Sequence, residues 1–94
     1  MSKKKYETEF SEYSKEREER LKKLEQEFVD SLIKLRKDRH LTQQTMADNG
    51  SVIRETVARI ENSITSPQIN TLLKIVEPLG YTIKLTKIKK EKRD

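Results

Sequence analysis

The stretch LTQQTMADNGSVIRETVARIEN, Leu41 to Asn62, decides how this chain folds. It is typical of two short helices joined by a tight turn. Thr42 is the expected N-cap of the first helix, because its hydroxyl oxygen can accept a hydrogen bond from the backbone N–H two or three residues later. Met46 and Ala47 are expected to form the inward face of that helix.

The second helix of the pair, from about Ile53 to Glu61, has an unusually polar outer face. Helical spacing turns Val57 and Ile60 toward a core. The same spacing turns outward Arg54, Glu55, Ala58 and Arg59. A plain helical hairpin would explain the first helix equally well, but it gives the two arginines no purpose. A face of this kind suits the major groove of DNA.

The whole pattern resembles the helix-turn-helix domains of the XRE class, the repressors related to lambda-type Cro and repressor proteins. The resemblance covers roughly residues 32 to 79. Four pieces match in order and spacing: LIKLR (32–36), LTQ (41–43), VARIEN (57–62) and SPQINTLLKIVEPLG (66–80). The implied fold is mainly α, a lambda-repressor-like helix-turn-helix bundle over residues 29–80.

The resemblance also assigns roles to individual residues. Its third helix lies in the major groove, which implies base-edge contacts by Ile53, Arg54, Glu55, Thr56 and Arg59. The residues implied to touch DNA phosphates are Thr42, Gln43 and Asn62. In this family the arginine of the LR motif pairs with the glutamate after the recognition helix, which implies a structural ion pair between Arg36 and Glu61.

Three positions depart from the family pattern. His40 stands where glycine usually ends the first helix, so a non-glycine residue is expected in the left-handed conformation. In the inter-helix turn the usual glycine position is Ser51, and Gly50 lies one residue earlier. Pro78 replaces a helix former, so the fourth helix is expected to end a residue or two early.

Residues 1–28 are predicted to form an N-terminal helical arm. Larger apolar residues recur there at helical steps: Tyr6, Phe10, Tyr13, Leu21, Leu24, Phe28, Leu32 and Leu35. Ser11, Tyr13 and Ser14 weaken the middle of this pattern, so a break is expected near them. The arm either binds a partner protein or extends over its own domain to enlarge a small core, and the sequence supports both readings equally.

Residues after the recognition helix predict a fourth helix and then a strand. Ser66 is the expected N-cap, with Pro67 at the first helical position. The predicted core residues of this helix are Ile69, Leu72, Leu73, Ile75 and Val76. Residues 81–88 then alternate, with Tyr81, Ile83 and Leu85 on one side, which predicts a short strand. A lone strand has no partner in a helical chain, so it is expected to pair across a homodimer, while residues 89–94 are expected to be a disordered basic tail.

Composition limits the classes of function. The 94 residues are only 32% hydrophobic and 39% charged, so the chain can bury one small core and is expected to form an oligomer. Its net charge of +5 favours an anionic partner, double-stranded DNA above all. No cysteine and one histidine give no basis for a metal site, no cofactor motif is present, and no apolar run could span a membrane. No paired nucleophile and base or phosphate loop is found, so an enzyme is not expected.

The combination of arm, domain and strand looks most like antitoxins of the HigA type. That resemblance implies a dimeric repressor that reads a pseudo-palindromic operator and binds a RelE- or HigB-like toxin. The implied origin is bacterial or phage, with a cytoplasmic, nucleoid-associated location. The possible toxin contacts are Tyr6, Phe10, Tyr13, Leu21 and Leu24. The alternatives are a solitary phage or mobile-element repressor and, from another class, a helical protein-binding adaptor.

Overall fold

The computed structural model describes residues 14–88 of the chain, and four α-helices account for most of them. The helices are α1 (Ser14–Asp38), α2 (Gln43–Gly50), α3 (Arg54–Glu61) and α4 (Ile69–Val76), and a 3-10 turn (Glu77–Leu79) follows. Helix α2 packs against both α3 and α4, and α1 packs against α3. The mainly helical bundle expected from the sequence is therefore present.

Helix α1 is much longer than the other three helices. It runs without interruption for 25 residues, so the predicted arm and the predicted domain share one helix across residues 28 and 29. Its first turn holds Glu16 and its last turn Arg36 and Lys37, an arrangement that complements the helix dipole. No break occurs after Ser14, and the part of the predicted arm before it, with Tyr6, Phe10 and Tyr13, lies outside the described residues.

The core forms where the four helices meet. Two residues come from each helix: Val29 and Leu32, Met46 and Ala47, Val57 and Ile60, Ile75 and Val76. Ile69 was predicted to join this core, but its side chain is 64% exposed. It begins α4, about 10 Å along the helix axis from Val76, and so it lies beyond the buried layer.

The turn between α2 and α3 depends on two adjacent small residues. Ser51 takes the left-handed conformation with φ 60°, at the position where the family pattern has glycine. Gly50 is the last residue of α2 and has a different role. A Cβ on Gly50 would lie 2.6 Å from the Lys74 carbonyl oxygen and 3.1 Å from Ile75 Cα. Because both atoms are backbone, glycine at this position permits the close approach of α4.

Helix ends elsewhere follow the expected chemistry in two cases and contradict it in one. His40 has φ 57°, which confirms the left-handed end of α1. Helix α4 ends at Val76, two residues before Pro78, as predicted. The prediction for Ser66 was wrong, because Gln68 is the N-cap of α4. The Ser66 hydroxyl instead donates to Glu25 Oε2 on α1 at 2.7 Å.

Residues 81–88 form no strand, and the described residues contain none elsewhere. A strand requires a hydrogen-bonded neighbour, and the single chain offers residues 81–88 none, so the strand predicted at Tyr81, Ile83 and Leu85 is not supported. The segment begins with the left-handed Gly80, and the Tyr81 N–H then donates to Val76 O at 3.1 Å. The tail predicted at residues 89–94 lies outside the described residues.

The segment after Gly80 lies across α1 and encloses an apolar groove. The Arg39 guanidinium holds its start, because it donates to Leu79 O at 3.1 Å and its Cζ lies 5.8 Å from the centre of the Tyr81 ring. The groove has a volume of about 290 Å³. Its apolar lining residues are Phe28, Leu32, Leu35, Val76, Tyr81 and Ile83.

Candidate nucleic-acid interface

The turn after α2 determines how α3 is presented to solvent. Ser51 reverses the chain, and the Val52 N–H donates to Ala47 O at 3.0 Å, which closes the end of α2. Ile53 is then the extended N-cap of α3, with φ −88° and ψ 155°. The two helices are thereby held in a fixed relation by a turn of three residues, the arrangement found in helix-turn-helix motifs.

Helix α3 separates into a buried face and an exposed one. Val57 is completely buried and Ile60 is 1% exposed, as the helical spacing predicted. The predicted base-reading residues Ile53, Arg54, Glu55 and Arg59 are all exposed. Two other residues lie at the border and are half-buried: Thr56, a predicted base-reading residue, and Ala58, which was predicted to point outward. The structure therefore leaves Ile53, Arg54, Glu55 and Arg59 accessible to solvent at the start and along the outer side of α3.

An ion pair between Arg36 and Glu61 joins the end of α3 to α1. Arg36 Nε donates to Glu61 Oε2 at 2.8 Å, and Arg36 Nη2 donates to Glu61 Oε1 at 3.0 Å. The side chains are only 14% and 5% exposed. Arg36 Nη1 also donates to Leu41 O at 2.9 Å, so the same guanidinium holds the loop before α2. The hydrogen bond to Glu61 raises the pKa of Arg36, and burial opposes that shift.

Gln43 connects this ion pair to the exposed surface of α3. Its Nε2 donates to Glu61 Oε1 at 2.9 Å, and its Oε1 accepts from Arg54 Nη1 at 3.2 Å. The amide of Gln43 thus uses both of its polar atoms in hydrogen bonds to other side chains. A chain of hydrogen bonds runs from Arg36 through Glu61 and Gln43 to Arg54.

Sequence reasoning missed this role of Gln43, which was assigned a phosphate contact alone. One signal was present in the sequence: Gln43 and Arg54 are the first residues of two helices that a short turn joins. Their side chains meet only if the two helices cross at a suitable angle, and that angle depends on how the helices pack. The sequence by itself therefore could not show that the two side chains meet.

The other two predicted phosphate contacts lie at helix ends. Thr42 is the N-cap of α2, and its Oγ1 accepts from the Thr45 N–H at 3.0 Å, which confirms the predicted cap. Asn62 is the C-cap of α3 and is exposed. Thr42 and Asn62 stand at the opposite ends of the α2–α3 unit, and their contacts with phosphate stay predictions.

Metal binding and membrane crossing can be assessed for residues 14 to 88. Those residues contain no cluster of three or more histidine, cysteine or acidic side chains able to hold a metal ion. Among the helices of the same part of the chain, none combines the length and the apolar character that crossing a membrane requires.

Comparison with known proteins agrees with this geometry. A relative from Haemophilus influenzae, named an uncharacterized HTH-type transcriptional regulator, is 33% identical over 61 residues. The aligned part is 65% of this chain and 62% of the relative, so the chain spans less than two thirds of that protein's length. No solved structure matches the chain significantly. A family model described as helix-turn-helix matches residues 32–85, which are more than half of the chain. The chain belongs to this helix-turn-helix family, of the XRE class.

Proposed function

We propose that this protein is a sequence-specific DNA-binding transcriptional repressor that places α3 in the major groove. The observation that carries the proposal is the division of α3 into a buried apolar face and an exposed face with two arginines. Its relative in Haemophilus influenzae is named a transcriptional regulator, and the net charge of +5 favours binding to a polyanion. Repression by this route requires occupancy of an operator and no chemical reaction.

Base recognition is assigned to the exposed residues of α3. Arg54 and Arg59 each present a planar guanidinium that can donate two hydrogen bonds to the O6 and N7 atoms of guanine. Glu55 can accept from the amino group of cytosine. The hydrogen bond from Arg54 to Gln43 restricts the Arg54 side chain before binding, so less conformational entropy is lost when Arg54 contacts a base. Thr42, Gln43 and Asn62 are the proposed phosphate contacts, and they set the register of α3 on the duplex.

A homodimer is the proposed state of the bound protein. Tyr81 and Ile83 line the groove beside α1, whereas Leu85 is fully exposed. Leu85 is the next residue on the same side of an extended chain. In an antiparallel ribbon centred on Ile83, the partner's Leu85 would stand beside Tyr81 and cover the groove. The two copies would then place their α3 helices one DNA turn apart, about 34 Å, on a pseudo-palindromic operator.

Truncation after Gly80 should give a monomer in sedimentation, and an unchanged dimer would place the interface elsewhere.

The proposed finer role is that of an antitoxin, with the first turns of α1 as the contact for a RelE- or HigB-like toxin. Its support is the apolar surface on that part of α1, where Leu21 is 49% and Leu24 is 39% exposed. Replacing both leucines with serine should abolish toxin capture and leave operator binding unchanged. Full toxin capture by this variant would place the toxin contact elsewhere on the chain, whereas no capture by the native chain would favour a solitary repressor.

Selection of binding sites from random duplexes tests the main proposal directly. The full-length chain should enrich one pseudo-palindromic sequence, whereas a variant with Arg54 and Arg59 replaced by alanine should not. A matched control replaces Lys34 and Lys74, two exposed lysines on α1 and α4, by alanine and should enrich the same sequence as the native chain. Failure of the native chain to enrich any sequence would leave the adaptor role as the better explanation of the fold.

A further inference from the structure

Ile53 occupies a position where an apolar residue is unfavourable for the fold. It is the N-cap of α3 and makes no side-chain cap hydrogen bond. Serine, threonine, aspartate and asparagine are preferred at N-caps because their side chains accept from the first free N–H groups. Thr42 does this at the start of α2. Ile53 has no such oxygen, and its side chain is also 63% exposed, so it gains little from burial.

The position of Ile53 is, in contrast, favourable for contact with bases. It directly precedes Arg54, and the N-terminal residues of a recognition helix are those that approach base edges. An isoleucine has no polar atom, so it can make only an apolar contact in the groove. Among the four standard bases, thymine alone presents an apolar group there, the C5 methyl.

We infer that Ile53 reads a thymine, by packing its side chain on the C5 methyl group, close to the guanine assigned to Arg54. This inference rests on the proposed function and adds to it the identity of one base and the chemistry of its recognition. Ile53 therefore contributes to sequence preference and not to general affinity, because a methyl group is absent from phosphate and sugar.

The test uses the duplex enriched by selection and variants in which one thymine at a time is replaced by deoxyuridine. Deoxyuridine pairs as thymine does but lacks the methyl group. Loss of one buried methyl corresponds to about a four-fold weaker Kd. One position in each half-site should show this loss with the native chain, and the same replacement should change nothing with Ile53→Ala, since the contact is already absent. Ile69→Ala is the matched control, because Ile69 is 64% exposed and begins α4.

A second variant separates the loss of the thymine contact from a loss of stability. Ile53→Ser supplies a capping hydroxyl and should raise the Tm by about 4 to 8 °C, while losing the same sensitivity to deoxyuridine as Ile53→Ala. The inference is overturned if the native chain tolerates deoxyuridine at every thymine, or if the sensitive thymine remains equally sensitive with Ile53→Ala. The proposed function has a different failure, in which selection enriches no sequence at all.

Discussion

Replacement of Glu61 by alanine should destabilise the fold measurably. The Glu61 carboxylate is 5% exposed and accepts three hydrogen bonds, two from Arg36 and one from Gln43. Its removal leaves the Arg36 guanidinium, itself 14% exposed, with the Leu41 carbonyl as its remaining acceptor among these contacts. Because the pair is only partly buried, leaving the Arg36 donors without this acceptor should cost about 1 to 3 kcal/mol. A domain of this size is stable by only about 5 to 15 kcal/mol.

Urea unfolding followed by circular dichroism measures this loss. The double variant Arg36→Met with Glu61→Leu should be more stable than Glu61→Ala, because it leaves no buried charge without a partner. Asp38→Asn is the matched control, since Asp38 belongs to an exposed pair with Lys34, and it should not shift the unfolding midpoint measurably. A loss below about 1 kcal/mol for Glu61→Ala would refute the claim that the Arg36–Glu61 pair holds α3 on α1.

Three further predictions concern the turn and the pH dependence. Gly50→Ala should destabilise by about 1 to 3 kcal/mol in thermal unfolding, because its Cβ meets backbone atoms of α4. Ser51→Gly should stabilise by about 0.5 to 1 kcal/mol, because glycine adopts φ 60° without strain; a loss would show that the serine hydroxyl matters more. The difference in unfolding free energy between the native chain and Glu61→Ala should stay constant from about pH 7 to 10. The pKa of Arg36 is raised above its already high ordinary value, so the stabilisation of the fold by the Arg36–Glu61 pair is lost only when the pH rises through the pKa of the folded state.

Features that depend on neighbours along the chain were predictable from the sequence. The spacing of Val57 and Ile60 predicted their burial, and both are in the core. The N-cap at Thr42 and the helix end before Pro78 were also predicted, since each follows from the local chemistry of one residue. The left-handed His40 was expected from the resemblance, because His40 stands where the family pattern has glycine.

Features that depend on distant parts of the chain were not predictable. Ser66 has the chemistry of an N-cap, but Glu25, 41 residues earlier, accepts its hydroxyl. The need for glycine at position 50 arises only when α4 packs against the end of α2. Gln43 meets both Glu61 and Arg54 because two helices bring these residues together. A propensity for strand at residues 81–88 is likewise insufficient, because a strand also needs a neighbour.

The most direct test of base reading by α3 compares two duplexes and three arginine variants. Kd values for the selected operator and for a scrambled duplex of equal length should be measured by fluorescence anisotropy at several salt concentrations. Arg54→Ala should weaken the operator by about 1 to 3 kcal/mol and leave the scrambled duplex nearly unchanged. Arg54→Lys should keep the affinity for the scrambled duplex and lose part of the preference, because it retains the charge without the planar guanidinium. Equal weakening of both duplexes by Arg54→Ala and by Arg59→Ala, with a salt slope lower by about one unit, would show phosphate contacts and contradict base reading by α3.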